Sequence, residues 1–128
     1  MIKINSFLSN KEIELEGGHI LRFAKSIIKQ LNGASHLLVG VVTIGDFLEK
    51  KVSELFSQGE YPRALALDAV GTVAVEDFSR EVRKLARQEV EEQGFKTSRH
   101  FSPGYGGWEV SQQDIIFKSI PADNIGVR

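Results

Sequence analysis

The sequence predicts an α+β chain in which helices outweigh strands. Three observations carry that expectation. His36 to Ile44 (HLLVGVVTI) is a continuous, β-branched apolar run with the composition of a strand buried on both faces. Leu48, Val52, Leu55 and Phe56, and then a longer series from Leu65 to Val90, recur at helical spacing. Gly45, Gly59 and Gly94 stand where one pattern stops and the next begins. With 128 residues, 41% of them hydrophobic and 26% charged, the chain fits one globular domain spanning 1–128 and long enough to bury its own core.

The elements follow in order. Ile2, Ile4, Ile13 and Leu15 alternate weakly, as in strands, until Gly17–Gly18 breaks the chain. From His19, the residues Ile20, Phe23, Ala24, Ile27, Ile28 and Leu31 are spaced as a helix, with Asn32–Gly33 as its C-terminal cap signal. After the His36–Ile44 run, Asp46 is the expected N-cap of a helix carrying the Leu48–Phe56 stripe. Pro62 suits the first turn of the next helix, which continues to about Gln93. Its first half, ALALDAVGTVAV, is almost wholly apolar and is expected to be buried. Its second half, SREVRKLARQEVEEQ, is amphipathic, with mixed charges on a solvated face. FKTSRHF reads as a strand and FSPGYGGW as a turn. Ser111 and Asp114 read as a capping box opening a short helix that Pro121 ends. The final IGVR reads as a strand fragment without a partner.

Composition excludes several function classes. Sixteen basic and 17 acidic residues leave a net charge of −1, which argues against a nucleic-acid backbone as partner. Cysteine is absent, removing disulfides, thiolate metal sites and cysteine nucleophiles. The N-terminus lacks the pattern of a secretory signal, and the longest apolar run, Leu37–Val42, is too short to cross a bilayer. A soluble cytoplasmic protein is the expectation, with no membrane partner. There is no Walker loop, nucleophile elbow or dinucleotide fingerprint. His19, His36 and His100 lie far apart, without a ligand at i+3 or i+4, so no metal site is expected and His36 reads as a hydrogen-bonded structural residue.

Two features rise above this background. Asp68, Thr72 and Glu76 share one face of the long helix, and an acid in so apolar a segment is costly to bury unpaired. Gly71 beside them implies a close approach: either it admits a neighbouring helix, with Asp68 paired locally, or the face meets a ligand. The second feature is Arg99 to Trp108, RHFSPGYGGW. Three glycines allow tight approach to backbone donors, Phe101, Tyr105 and Trp108 offer flat apolar surfaces, and Arg99 and His100 offer donors to an anion. Such a loop is equally well a turn packed by aromatics.

His100-Phe101-Ser102-Pro103-Gly104-Tyr105-Gly106 resembles the Arg-x-Ala/Ser-Pro-Gly-Tyr motif of the activation domain of cobalamin-dependent methionine synthase. It is closer still to small free-standing relatives of that domain in anaerobic bacteria. Trp108 matches a tryptophan of those relatives. Thr43-Ile44-Gly45 with Leu48-Glu49, and Ala66 to Thr72 with Val75-Glu76, agree in order and spacing, so the resemblance is clearest over 37–128. It implies a twisted antiparallel sheet flanked by helices. It also implies an S-adenosylmethionine-binding accessory module that supports reductive remethylation of cobalamin in methionine synthase or another corrinoid methyltransferase. Cobalamin enters only through a partner, a corrinoid protein or methyltransferase, and the electron comes from a flavodoxin- or ferredoxin-like donor. The ligand-holding positions it implies are Glu76, Arg99, His100, Ser102, Gly104 and Tyr105, where a cationic sulfonium near the Tyr105 ring gains a cation–π contact.

The chain departs from the pattern at three points. His100 replaces the motif arginine, whose fork holds the ligand carboxylate; histidine cannot reproduce that fork, although Arg99 is adjacent. Gly107 replaces an aspartate. The relatives continue past IGVR through a further strand region, so the expectation includes a missing C-terminal part: a short form, a truncation or a sheet completed in a swapped homo-oligomer. The chain is at most an accessory part of a methyltransferase system. It has no cysteines to hold a zinc, and Ala34 and Val39 stand where a cobalamin module's Asp-x-His-x-x-Gly would need Asp and Gly around His36. The alternative is a docking or oligomerising scaffold of the same fold that does not bind S-adenosylmethionine.

Overall fold

A computed structural model describes residues 1–127 and shows an α+β chain with a four-stranded antiparallel sheet. Its contacts gather into two compact units, Met1–Val41 with Ser98–Asn124, and Val42–Thr97 with Ile125–Val127.

The first unit is built on β1 (Ile2–Phe7), β2 (Glu12–Leu15), β3 (Ile20–Arg22) and β4 (His36–Leu37), in the sheet order β3-β2-β1-β4. Gly17 and Gly18 reverse the chain between β2 and β3, both at positive φ (90° and 81°), which L side chains rarely adopt. That reversal corrects the helix expected from His19. Ile20–Arg22 pairs back onto β2 with Ile13 opposite Leu21, and both side chains vanish from solvent (0% and 1% exposed). Leu21 and Phe23 point inward with a period of two, and the helix α1 (Lys25–Leu31) begins only afterwards, contributing Ile27, Ile28 and Leu31 to the core. Gly33, at φ 82°, follows the Asn32 cap as expected.

The His36–Ile44 run is likewise not a strand buried on both faces. Only His36 and Leu37 pair, with Lys3 and Ile2, at the open edge of the sheet; Leu38 and Ile44 are 47% and 41% exposed. His36 is half-buried, and its Nδ1 lies 2.8 Å from Ser35 Oγ.

Residues 95–101 form no strand. The chain instead runs as an irregular segment and a tight loop, then forms a single 3-10 turn (Val110–Gln112) and a short helix over Gln113–Ser119. No Ser111–Asp114 capping box forms there. The helix is entered from Gln112, whose side chain accepts a bond from the Arg22 amide at 2.8 Å and so ties this segment to the edge of β3. After Pro121 the chain makes a second 3-10 turn, Ala122–Ile125, and the strand expected for IGVR does not form over Ile125–Val127; Arg128, the last residue of that fragment, lies outside the described residues.

The second unit is a helical hairpin of α2 (Phe47–Ser57) and α3 (Tyr61–Glu92), so that Gln113–Ser119 is α4. Asp46 does occupy the N-cap, but its carboxylate pairs with Lys50 instead of the helix amides. Both helices end as glycine-closed caps. Glu60 N–H donates to Leu55 O and Gly59 N–H to Phe56 O (2.9 and 3.1 Å), and Phe95 and Gly94 repeat the pattern onto Val90 and Glu91 (3.1 and 3.0 Å). Pro62 sits in the first turn of α3. Gly71 lies directly under Leu48: a Cβ there would stand 2.7 Å from Leu48 Cδ2, so the glycine admits the neighbouring helix. The burial expected for ALALDAVGTVAV is not found. Ala64 and Gly71 are buried, whereas Leu65, Val70 and Val73 are 60%, 58% and 58% exposed, because the single short helix α2 covers only one face.

Candidate functional site

The Pro-Gly-Tyr loop lies in the first unit and is a closed, hydrogen-bonded turn. Tyr105 N–H donates to Ser102 O (3.2 Å), Trp108 N–H to Tyr105 O (3.0 Å) and Gly104 N–H to Trp108 O (2.6 Å). Gly104, Gly106 and Gly107 all have positive φ, so the reversal depends on glycine at each of them. The amides of Gly104 and Tyr105, expected to face a ligand, are therefore spent inside the loop.

Two anchors fix the loop to the core. The Trp108 ring packs on Phe23 with centroids 4.8 Å apart, and the Ala24 amide donates to Gly107 O at 3.0 Å. Gly107 has no room for a side chain, since a Cβ would lie 2.7 Å from the Cβ of Ala24. This accounts physically for glycine where the resemblance implies aspartate. Trp108 is 92% buried by its 8% exposure, yet its indole Nε1 finds no acceptor among the described residues. An unpaired buried donor is costly, by about 1–3 kcal/mol, and marks the inner wall of the loop as short of one acceptor.

The outer surface carries the candidate ligand groups. Tyr105 is 76% exposed, Ser102 and His100 are exposed, and the Arg99 guanidinium stands 5.5 Å over the Phe101 ring. Arg99, His100, Ser102, Gly104 and Tyr105 thus share one loop. Glu76 belongs to the second unit, exposed on α3. Asp68 is also exposed, which corrects the expectation of an acid in a buried segment; Thr72 Oγ1 donates to the Asp68 backbone oxygen at 3.2 Å.

The first unit also brings together residues that the sequence did not connect. Glu16, His19, Lys118 and Ser119 line, with Met1 and Ile2, an open cleft of about 250 Å³. They come from three distant segments and share no motif spacing, so no linear signal could have joined them. Among the described residues no group of three His, Asp or Glu side chains could hold a metal, and no helix is long and apolar enough to cross a membrane. No family model, curated protein or solved structure matches the sequence.

Proposed function

We propose that this chain is an S-adenosylmethionine-binding accessory module, resembling the activation domain of cobalamin-dependent methionine synthase, that serves a corrinoid protein during reductive remethylation. The observation that supports the reading best is the closed, hydrogen-bonded Ser102–Trp108 turn, which leaves Tyr105 exposed on the same loop as Arg99. Arg99 is the group on this loop suited to the ligand carboxylate, and the Tyr105 ring is suited to its sulfonium or its purine. The bound ligand would supply a methyl group to reduced cobalt in the partner, with the electron drawn from a flavodoxin- or ferredoxin-like protein. The work of the chain's own residues is to bind and orient.

Calorimetric titration with S-adenosylmethionine, with S-adenosylhomocysteine as control, tests this. Saturable binding should weaken at least tenfold in Tyr105→Ala and tighten severalfold in His100→Arg, which restores a forked donor. Trp108 is the chain's one tryptophan, so its fluorescence should change on the same isotherm. A folded protein that gives no heat at millimolar ligand sinks the proposal. A second reading, a docking or oligomerising scaffold, is favoured by the exposed apolar residues of α3 and would then lead.

A further inference from the structure

We propose that the cleft between the β2–β3 turn and the end of α4 binds a small zwitterion, a free amino acid, through its two opposite charges. The inference goes beyond the reading of the Pro-Gly-Tyr loop and uses none of that loop's residues.

Both walls of the cleft are fixed by the backbone. On one side, Leu15 N–H donates to His19 O (2.8 Å), Gly18 N–H to Leu15 O (3.0 Å) and Glu16 N–H to Lys3 O (2.9 Å). These bonds set Glu16 and His19 at the two ends of the glycine turn. The His19 ring lies against that turn, with its Cδ2 3.7 Å from where a Gly17 Cβ would stand. On the other side, Ile116 buries α4 in the core, and the last turn of that helix presents Lys118 and Ser119. Ser119 Oγ already donates to Ile115 O (2.8 Å), so toward the cleft it can only accept.

Charge decides the ligand. Glu16 and Lys118 are exposed and line the same cleft, yet among the described residues neither has an ion pair, with the other or with a third group. Exposed carboxylates elsewhere, at Asp46, Glu54 and Asp77, each hold a nearby cation. His19 is half-buried and adds an N–H donor in either protonation state. A plain anion would meet Lys118 and His19 but be opposed by Glu16, and a plain cation would be opposed by Lys118. A molecule carrying both charges satisfies both walls: its carboxylate takes Lys118 and His19, and its ammonium takes Glu16. Size agrees. The volume of about 250 Å³ falls below the roughly 300–1,000 Å³ of sites for drug-sized ligands, which suits an amino acid better than a nucleotide or a peptide. Half-buried Ile2 and exposed Met1 offer an apolar wall to an aliphatic side chain. Because both charged groups are exposed and the cleft is open, solvent and salt weaken these contacts, and the affinity belongs in the millimolar range.

Amide chemical-shift titration of the full chain with L-leucine at low ionic strength, to tens of millimolar, tests the proposal. Shifts should saturate on one isotherm at Ile2, at residues 16–20 and at residues 118–120. The two half-molecules, 4-methylpentanoate without the ammonium and 3-methylbutylamine without the carboxylate, should each bind severalfold more weakly. Lys118→Gln and Glu16→Gln, at exposed positions that leave the amide spectrum dispersed, should each weaken leucine severalfold and move the preference in opposite directions. Glu16→Gln should bind 4-methylpentanoate better than the wild type does, and Lys118→Gln should bind the amine better. A merely structural role would not produce that exchange. Shifts at the cleft that never saturate, a half-molecule that binds as well as leucine, or variants that lose leucine without exchanging preference would each overturn the proposal. So would saturation centred on residues 99–108, which would assign amino-acid binding to the Pro-Gly-Tyr loop.

Discussion

Gly107 and Gly71 both lie under a neighbour at the same 2.7 Å from where a Cβ would be, and the physics of that neighbour separates them. At Gly107 the obstacle is the Cβ of Ala24, which no rotamer can move, and φ is +87°. Gly107→Ala therefore meets backbone strain and overpacking together and should cost about 2–4 kcal/mol in urea unfolding. At Gly71 the obstacle is the tip of Leu48, a half-buried side chain free to turn, and alanine gains about 1 kcal/mol of helix propensity. Gly71→Ala should stay within about 1 kcal/mol of the wild type; equal losses at the two sites would refute this reading of the contacts. The sequence gives both glycines equal standing. Their difference rests on Ala24 and Leu48, and spacing alone cannot say which residue will lie above which glycine.

The long helix and the short ones were legible to different degrees, for a reason visible in their lengths. α2 and α3 show several turns of one period and end at glycines, so their limits are readable from the sequence to within a residue or two. β3 is three residues long, and its Ile20, Leu21 and Phe23 satisfy a period of two and of 3.6 alike; pairing with Ile13 decided the matter. The N-cap and body of α2 carry two displaced carboxyls, Asp46 and Glu54. A hydrogen bond from Lys50, followed by its charge, holds Asp46 below the usual 3.8, and Lys51, helped by Gln58, holds Glu54 below the usual 4.5. Lowered carboxyls contribute stability above their ordinary values and lose it as the pH falls through the lowered ones. The melting temperature should thus decline on acidification below about pH 4. Both groups are fully exposed, so their share of that decline is small, and replacing Lys50 and Lys51 together by Gln should make it slightly shallower. A steeper acid decline in that variant would contradict the assignment.

Across the whole molecule, two units of different construction imply different resistance to opening. In the first, strands from residues 2–22 and the returning segment 98–124 share one core, and Ala24 to Gly107 and Arg22 to Gln112 are bonded across more than eighty residues. Local periodicity could not reveal that return, although the turn itself was readable from its glycines. In the second, a hairpin of two helices buries few side chains, and α3 beyond Val75 has lost the cover of α2. Apart from Val90, which is buried, this stretch leaves Phe78 and Leu85 exposed and leans on propensity and on surface pairs such as Asp77–Arg80, which sustain only marginal structure. Native-state hydrogen exchange on the intact protein should therefore be slowest at β2, around Ile13, and fastest among helical amides at residues 75–89. Protection at 75–89 equal to that at β2 would refute this ranking of the two units.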